Sequence, residues 1–442
     1  MEQQETYRSI EAVETQTQDA PSEKQEPATT FNITRISSVE PPPNGGWEAW
    51  SQVLGGHIVT FFVWGFITSF GMFQAYYTAN GVSSPSNISW IGSLMIFFLM
   101  LVPLWSGSAS DVGHFKLVLR VGTLLWLIGI FTTSLCREYW QFLLAQGVCI
   151  GVANGFMFVP TMSVVSTYFD PSRRSLAIGL ILCGSATGGM IFPIMLNRLF
   201  SIIGFGWAVR SFGFMALVLL VLAERLLKKR LPPKDSAKLF EPSELKDIVF
   251  ILFVSSGLSI VGSFLNFSGL YFAFFYVNAY SRNKLGMSLK ETIPILMVLN
   301  GVGVPGRLIP MYLADRYFRP IHVGLPINLI TALLLFVWIT IKSTTSMYVF
   351  AAIYGLFASA LQGLFPATMA DLTIDPKKTG TRFGMGFALS SFGVLIGSPA
   401  GGALIEYKHG DYLYAQVFAG SCGILGFLCV GLAALIHGKK AK

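Results

Sequence analysis

The sequence predicts an all-α membrane protein of twelve transmembrane helices in two pseudo-symmetric six-helix bundles. Three observations predict it. Charged residues make up only 12% of the chain, against 53% hydrophobic. Soluble domains carry about 25% charged residues, so a water-facing surface for a chain this long is excluded. Apolar runs of about 20 residues, enough to cross a hydrocarbon core of about 30 Å, recur along the sequence. The longest polar connector, near 228–247, divides those runs six and six.

Taken in order, the spans read as 50–77, 88–106, 117–135, 140–168, 175–200, 205–227, 248–280, 291–313, 321–341, 346–370, 382–405 and 412–436. Most gaps between them are short, which makes neighbouring spans antiparallel hairpins. Residues 1–43 are polar and acidic and lack the basic-then-apolar pattern of a cleaved signal peptide. They read as a disordered tail that ends at Pro41-Pro42-Pro43. The expected organisation is a disordered cytoplasmic tail over 1–46, an N-terminal bundle over 47–227 and a cytoplasmic linker over 228–247. A C-terminal bundle over 248–437 and a tail over 438–442 follow.

A formal charge of +8 could point to nucleic acid. The basic residues instead occupy short gaps between apolar runs, where they set topology. With the N-terminus cytoplasmic, only Arg137, Arg282, Lys284, Lys290, Lys342 and Lys408 fall in the outer gaps, and the inner gaps hold most of the rest. Both termini are therefore expected in the cytoplasm of a multi-pass membrane protein. No nucleic-acid-binding motif is present. The five cysteines lie in or beside apolar runs without metal-ligand spacing. The sequence calls for no metal and no cofactor.

The two halves repeat one feature. Gly107, Asp111 and Gly113 stand in the connection between spans 2 and 3. Asp315 and Arg316 occupy the corresponding place between spans 8 and 9. An aspartate at a helix end can accept hydrogen bonds from a neighbouring helix N-terminus or pair with an arginine. The five residues are candidates for a conformational latch; a solvated loop charge is the bland alternative.

Every carboxylate of the membrane region falls at a helix end or in a loop, so no carboxylate relay crosses the bilayer. Polar residues do occur inside spans. His57, Thr60, Trp64 and Thr68 recur at spacings of three and four and share one helix face. Asn154 lies in span 4, Asn266 and Tyr271 in span 7, and Tyr354 and Gln362 in span 10. Each can line a cavity or simply hold helices together. Arg307 in span 8 has no acid on its helix to neutralise it. Two readings stand for it: a bidentate anchor for an anionic solute, or a side chain that snorkels to the cytoplasmic face or pairs with Asp315. The candidate substrate-binding set is thus Arg307, His57, Trp64, Asn154, Asn266, Tyr271, Tyr354 and Gln362.

The segment Gly107 to Lys116 resembles the loop signature of the major facilitator superfamily. Three further stretches resemble its monocarboxylate porter branch, especially the fungal members. They are Asn44-Gly45-Gly46-Trp47 at the start of span 1, Tyr168-Phe169 with Arg173-Arg174 before span 5, and Gly380 with Arg382, Gly384 and Gly397-Ser398-Pro399 in span 11. The resemblance implies alternating-access transport of a small organic solute, with spans 1, 4, 7 and 10 lining the cavity. Departures are visible. The family usually has an acid where Asn44 stands. Animal members carry a lysine near Thr68 and an aspartate at Gly303, and of the groups they use for proton-coupled anion uptake only Arg307 remains.

The expected function is export of a small organic acid or an amphipathic, aromatic secondary metabolite. Trp64, Phe156, Phe158, Tyr271 and Tyr354 offer stacking surface. Whether a proton is moved with or against the solute is left open. The rivals are a proton-coupled monocarboxylate uptake carrier and a non-transporting sensor on a carrier fold. An enzyme is disfavoured because no nucleophile–base cluster is found. The expected partners are the organic solute and the lipid bilayer, with no nucleic acid.

Overall fold

The computed structural model describes residues 41–233, 257–371, 373 and 378–440. The predicted tail over 1–40, the linker from 234 and the start of span 7 up to 256 lie outside them, as do residues 441–442. From Pro42 onward the chain is one compact unit.

Nine helical stretches among the described residues are long and apolar enough to cross a membrane. Two of them hold two crossings each. Asn87–Thr133 breaks at a π-turn, Ser110–His114, where Gly113 has φ 113°. Arg174–Leu226 breaks at Gly204, with φ 73° and ψ 166°. Both glycines take backbone that side chains disfavour, which is why a reversal sits at each. Gly257–Leu285 adds one more helix.

The helices are α1 (Gly46–Ala79), α2 (85–109), α3 (Phe115–Thr133), α4 (Tyr139–Ser166), α5 (174–203) and α6 (205–226). The second half has α7 (Gly257–Leu285), α8 (289–316), α9 (Pro320–Thr340), α10 (Thr344–Asp371), α11 (Thr379–Tyr407) and α12 (Leu413–Lys440). The spans agree with the hydropathy reading to within a few residues, apart from the start of α7.

Helix starts follow local chemistry. Ser84 caps α2, with Pro85 in its first turn. Glu138 with Gln141, and Ser288 with Glu291, form reciprocal capping boxes for α4 and α8. Two starts differ. α5 begins after Arg173 and α11 after Lys378, and neither helix receives a cap from its own preceding side chain. Orphan N–H groups at a helix start need a partner.

The two halves meet along two helix pairs, α2 against α11 and α5 against α8. Small residues set the closeness. A Cβ on Gly107 would lie 2.2 Å from the Gly380 carbonyl oxygen, and one on Gly384 would lie 2.1 Å from that of Pro103. Backbones this close exclude any side chain at those positions. Within the first half, α1 crosses α5 at Gly65 and Gly188, again with no space for a Cβ.

Candidate functional site

The orphaned starts of α5 and α11 are capped from the opposite half. Asp111, at the end of α2, accepts from the backbone N–H of Gly380 (3.1 Å) and of Thr381 (2.7 Å), and from the Thr381 hydroxyl (2.8 Å). Asp315, at the end of α8, accepts from the N–H groups of Ser175 (2.9 Å) and Leu176 (2.7 Å). A carboxylate at a helix N-terminus meets unpaired donors and the positive end of the dipole together. Bonds of this charge-assisted kind contribute about 1.5–3 kcal/mol each before desolvation is counted.

Groups around the two carboxylates differ. Behind Asp111, Lys229 donates to the backbone oxygens of Ser110 (2.6 Å) and Asp111 (2.8 Å). Burial pulls the Lys229 ammonium below the ordinary lysine value, and Asp111 partly offsets this. Around Asp315, the charged neighbour is Arg174, which also lies in the field of Asp371 and Asp170. Asn44 binds the loop before α5: its N–H donates to Tyr168 O (2.9 Å), its amide bonds Asp170, and its carbonyl accepts from Arg173 (3.0 Å). The motif stretches that carried the resemblance are therefore in contact pairwise at one end of the molecule.

On the far side of these contacts, two chambers lie between the halves. The larger is lined by Thr68, Gly71, Gln74, Asn278 and Asn300, among others. The smaller lies toward the latch end and is rich in aromatic side chains, with Phe158, Phe267 and Phe387. Trp64, Ser185, Tyr271, Arg307 and Gln362 line both chambers and form the partition between them. Among the described residues no acidic side chain is in either wall.

Arg307 is 4% exposed. Its Nη1 donates to Gly303 O (3.1 Å) and its Nη2 to Gln362 Oε1 (3.2 Å), both neutral acceptors. Among the described residues no carboxylate stands within ion-pair distance of it. A buried charge without a counter-ion is costly by several kcal/mol. Such a guanidinium, next to solvent-filled space, can take a carboxylate or enolate by two parallel N–H bonds.

The family model described as Major Facilitator Superfamily matches residues 53–374. The chain belongs to the major facilitator superfamily. It is 42% identical to an MFS-type transporter of Gibberella zeae, over 91% of this chain and 90% of the relative. It is 35% identical to the aspyridones efflux protein apdF of Emericella nidulans, over 88% and 78% of the two chains. Among solved structures it is similar in fold to the E. coli fucose:proton symporter FucP. The TM-score is 0.67 at 15% identity, covering 87% of this chain and 98% of that one.

In this superfamily protein, four of the eight residues proposed for substrate stand at the partition: Arg307, Trp64, Tyr271 and Gln362. The other four are placed elsewhere. His57 is turned toward α5, with Nδ1 2.9 Å from Leu180 O and Nε2 3.2 Å from Thr187 Oγ1. The shared face of α1 points two ways because the tight α1–α5 crossing covers His57 and Thr60, whereas Trp64 clears it and Thr68, against Gly189 of α5, still reaches the larger chamber. Asn154 is fully buried in α4, and neither amide atom has a partner. Asn266 packs against Gly426 of α12. Tyr354 donates to Leu270 O (2.8 Å) and ties α10 to α7.

Of the proposed latch residues, Gly107, Asp111 and Asp315 make the contacts described, and Gly113 supplies the turn. Arg316 is exposed, and Arg174 is the basic residue in the field of Asp315. Gln74, Ser185, Asn278 and Asn300 line the cavity and were not singled out for it. Asn300 and Arg307 are seven residues apart on α8, two helical turns, which is the one sequence signal that links any of them to Arg307.

Proposed function

We propose that this superfamily member is an exporter of small organic anions, acting by alternating access, with Arg307 as the anion anchor. The observation that carries this is the buried guanidinium in the wall between two chambers, with only neutral acceptors. A transported anion would supply the missing counter-charge. The efflux named for the Emericella relative supports export, and the resemblance to monocarboxylate porters supports an acidic cargo.

The two carboxylate contacts serve as latches in this reading. They close the end that the basic-residue bias makes cytoplasmic, so the structure corresponds to an outward-facing state. Release of Asp111 from α11 and of Asp315 from α5 would open that end. The termini lie in the cytoplasm and the membrane is the plasma membrane. Absence of an acid from both chamber walls argues against protonation of a cavity carboxylate as the coupling step. Any proton dependence must arise from the cargo or from groups outside the cavity.

The test is flux in proteoliposomes loaded with labelled aromatic and aliphatic carboxylates. Flux is expected, and Arg307→Gln should reduce it at least tenfold at low substrate. Removing one member of a buried charged pair costs about 2–5 kcal/mol. Equal flux in the Arg307→Gln protein would remove the anchor role. Strong acceleration by an imposed pH gradient would favour proton-coupled uptake instead.

A further inference from the structure

We propose that Trp64 and Tyr271 form a slot for one flat aromatic ring, and that Trp64 Nε1 reads a hydrogen-bond acceptor on it. The cargo class is then a planar aromatic anion with a carbonyl or similar acceptor away from its charge. This deepens the anion-export reading and rests on it.

The geometry is specific. The Trp64 and Tyr271 rings are parallel to within 5°, with centroids 6.0 Å apart. They come from α1 and α7, on opposite halves. Aromatic pairs favour offset-stacked or edge-on contact. A guest ring between them needs roughly 3.5 Å to each face, or about 7 Å in all. The ring planes are at most 6.0 Å apart, so the slot is short of that width by at least about 1 Å, and a separation of the halves is needed to open it. Binding a flat ring would thus be tied to the movement that alternates access.

Neighbours hold the two rings in place. Phe158 meets Trp64 edge-on at 5.7 Å, and Phe267 stacks on Tyr271 at 5.9 Å with 20° between planes. Trp64 is 7% exposed, yet its Nε1–H has no hydrogen-bond partner. A buried indole N–H usually finds one. The Trp64 side chain lines both chambers, together with Arg307 and Gln362, and its Nε1 becomes available to a guest when the slot opens. A ligand acceptor there would satisfy it, with the anionic end on Arg307. Saturated acids of equal size would fill the volume without satisfying either feature.

The experiment is equilibrium binding to the purified full-length protein in lipid nanodiscs. Three probes of similar size separate the claims: chromone-2-carboxylate, 2-naphthoate and trans-decahydronaphthalene-2-carboxylate. The first is flat with a ring carbonyl, the second flat without one, and the third saturated. Affinity should fall in that order, by about tenfold between the flat naphthoate and its saturated counterpart. Trp64→Phe should cancel the advantage of the chromone over the naphthoate. Trp64→Leu, or Tyr271→Leu should the first variant not fold, should cancel the advantage of flat over saturated. Equal affinity for naphthoate and its saturated counterpart in the unsubstituted protein would overturn the slot, even with both lost in Arg307→Gln. Naphthoate bound equally well after Arg307→Gln would overturn the anion anchor, while a retained flat-over-saturated preference would uphold the slot. Failure of all three probes to bind at millimolar concentration would overturn both.

Discussion

Asp111 and Asp315 carry out one geometric task with unequal means. Each ends a helix of one half and caps a bare helix start in the other. Asp111 is buried and accepts three bonds, one of them from the Thr381 hydroxyl, with Lys229 close behind it. Asp315 is partly exposed and accepts two backbone bonds, with the Ser175 side chain beside it and Arg174 in its field. The difference teaches that pseudo-symmetry fixes where a carboxylate must stand, while burial and neighbours set how much it holds. The proposed latch at α2–α11 should be the stronger one.

Four substitutions break or sharpen that comparison. The largest effect is expected for Asp111→Ala, which leaves the start of α11 without its cap and removes the carboxylate charge beside the half-buried Lys229. A loss of about 3 kcal/mol would shift the balance of states more than a hundredfold toward an open latch end. Thiol labelling of single cysteines placed at that end would record it. Asp315→Ala should shift the same readout by roughly tenfold, because water can replace part of what is lost. An effect of Asp315→Ala equal to or above that of Asp111→Ala would reverse the ranking. Thr381→Val removes only the hydroxyl bonds to Asp111 and Ser108 and should cost about 1 kcal/mol. Arg316→Ala should change labelling by less than twofold, since that side chain is exposed.

Much of this was legible in the sequence, for identifiable reasons. A bilayer demands long apolar helices, so the crossings could be read from hydropathy almost to the residue. Aspartates at matching places in the halves marked the two proposed latches, and the structure brings each onto a helix start of the other half. Arg307 stood out because an arginine without an acid in an apolar helix is expensive. What periodicity could not supply was the identity of the neighbour. His57 and Trp64 share a face of α1, but α5 covers one and the cavity receives the other. Asn154, Asn266 and Tyr354 are polar and membrane-buried, and only the packing of α4, α12 and α7 distinguishes them from Gln362. Arg174 and Arg316 were equally basic candidates near Asp315, and the fold brings the first into its field while leaving the second in solvent. Gln74 and Asn300 carry no pattern that marks them as cavity residues until α1 and α8 are set side by side.

Arg307 offers a complementary check on the cavity end. Gly303 stands one turn before it, and a Cβ there would meet only the Ser359 hydroxyl and the Arg307 guanidinium, both movable. Gly303→Asp should give Arg307 an internal counter-ion and lower anion affinity by about tenfold or more, while leaving the latch-end labelling near that of the unsubstituted protein.

The most direct test of the latch account is a distance measurement across the end where the halves meet. Spin labels at Leu117 and Tyr317, both exposed and on opposite halves, report the latch end, and labels at Leu135 and Leu413 report the other. All are introduced as cysteines in a protein whose native cysteines have been replaced. In the Asp111→Asn, Asp315→Asn double variant, the latch-end distance should lengthen and broaden while the opposite distance shortens. Unchanged distributions at both ends would contradict the account, because the two carboxylates would then not hold the closed state.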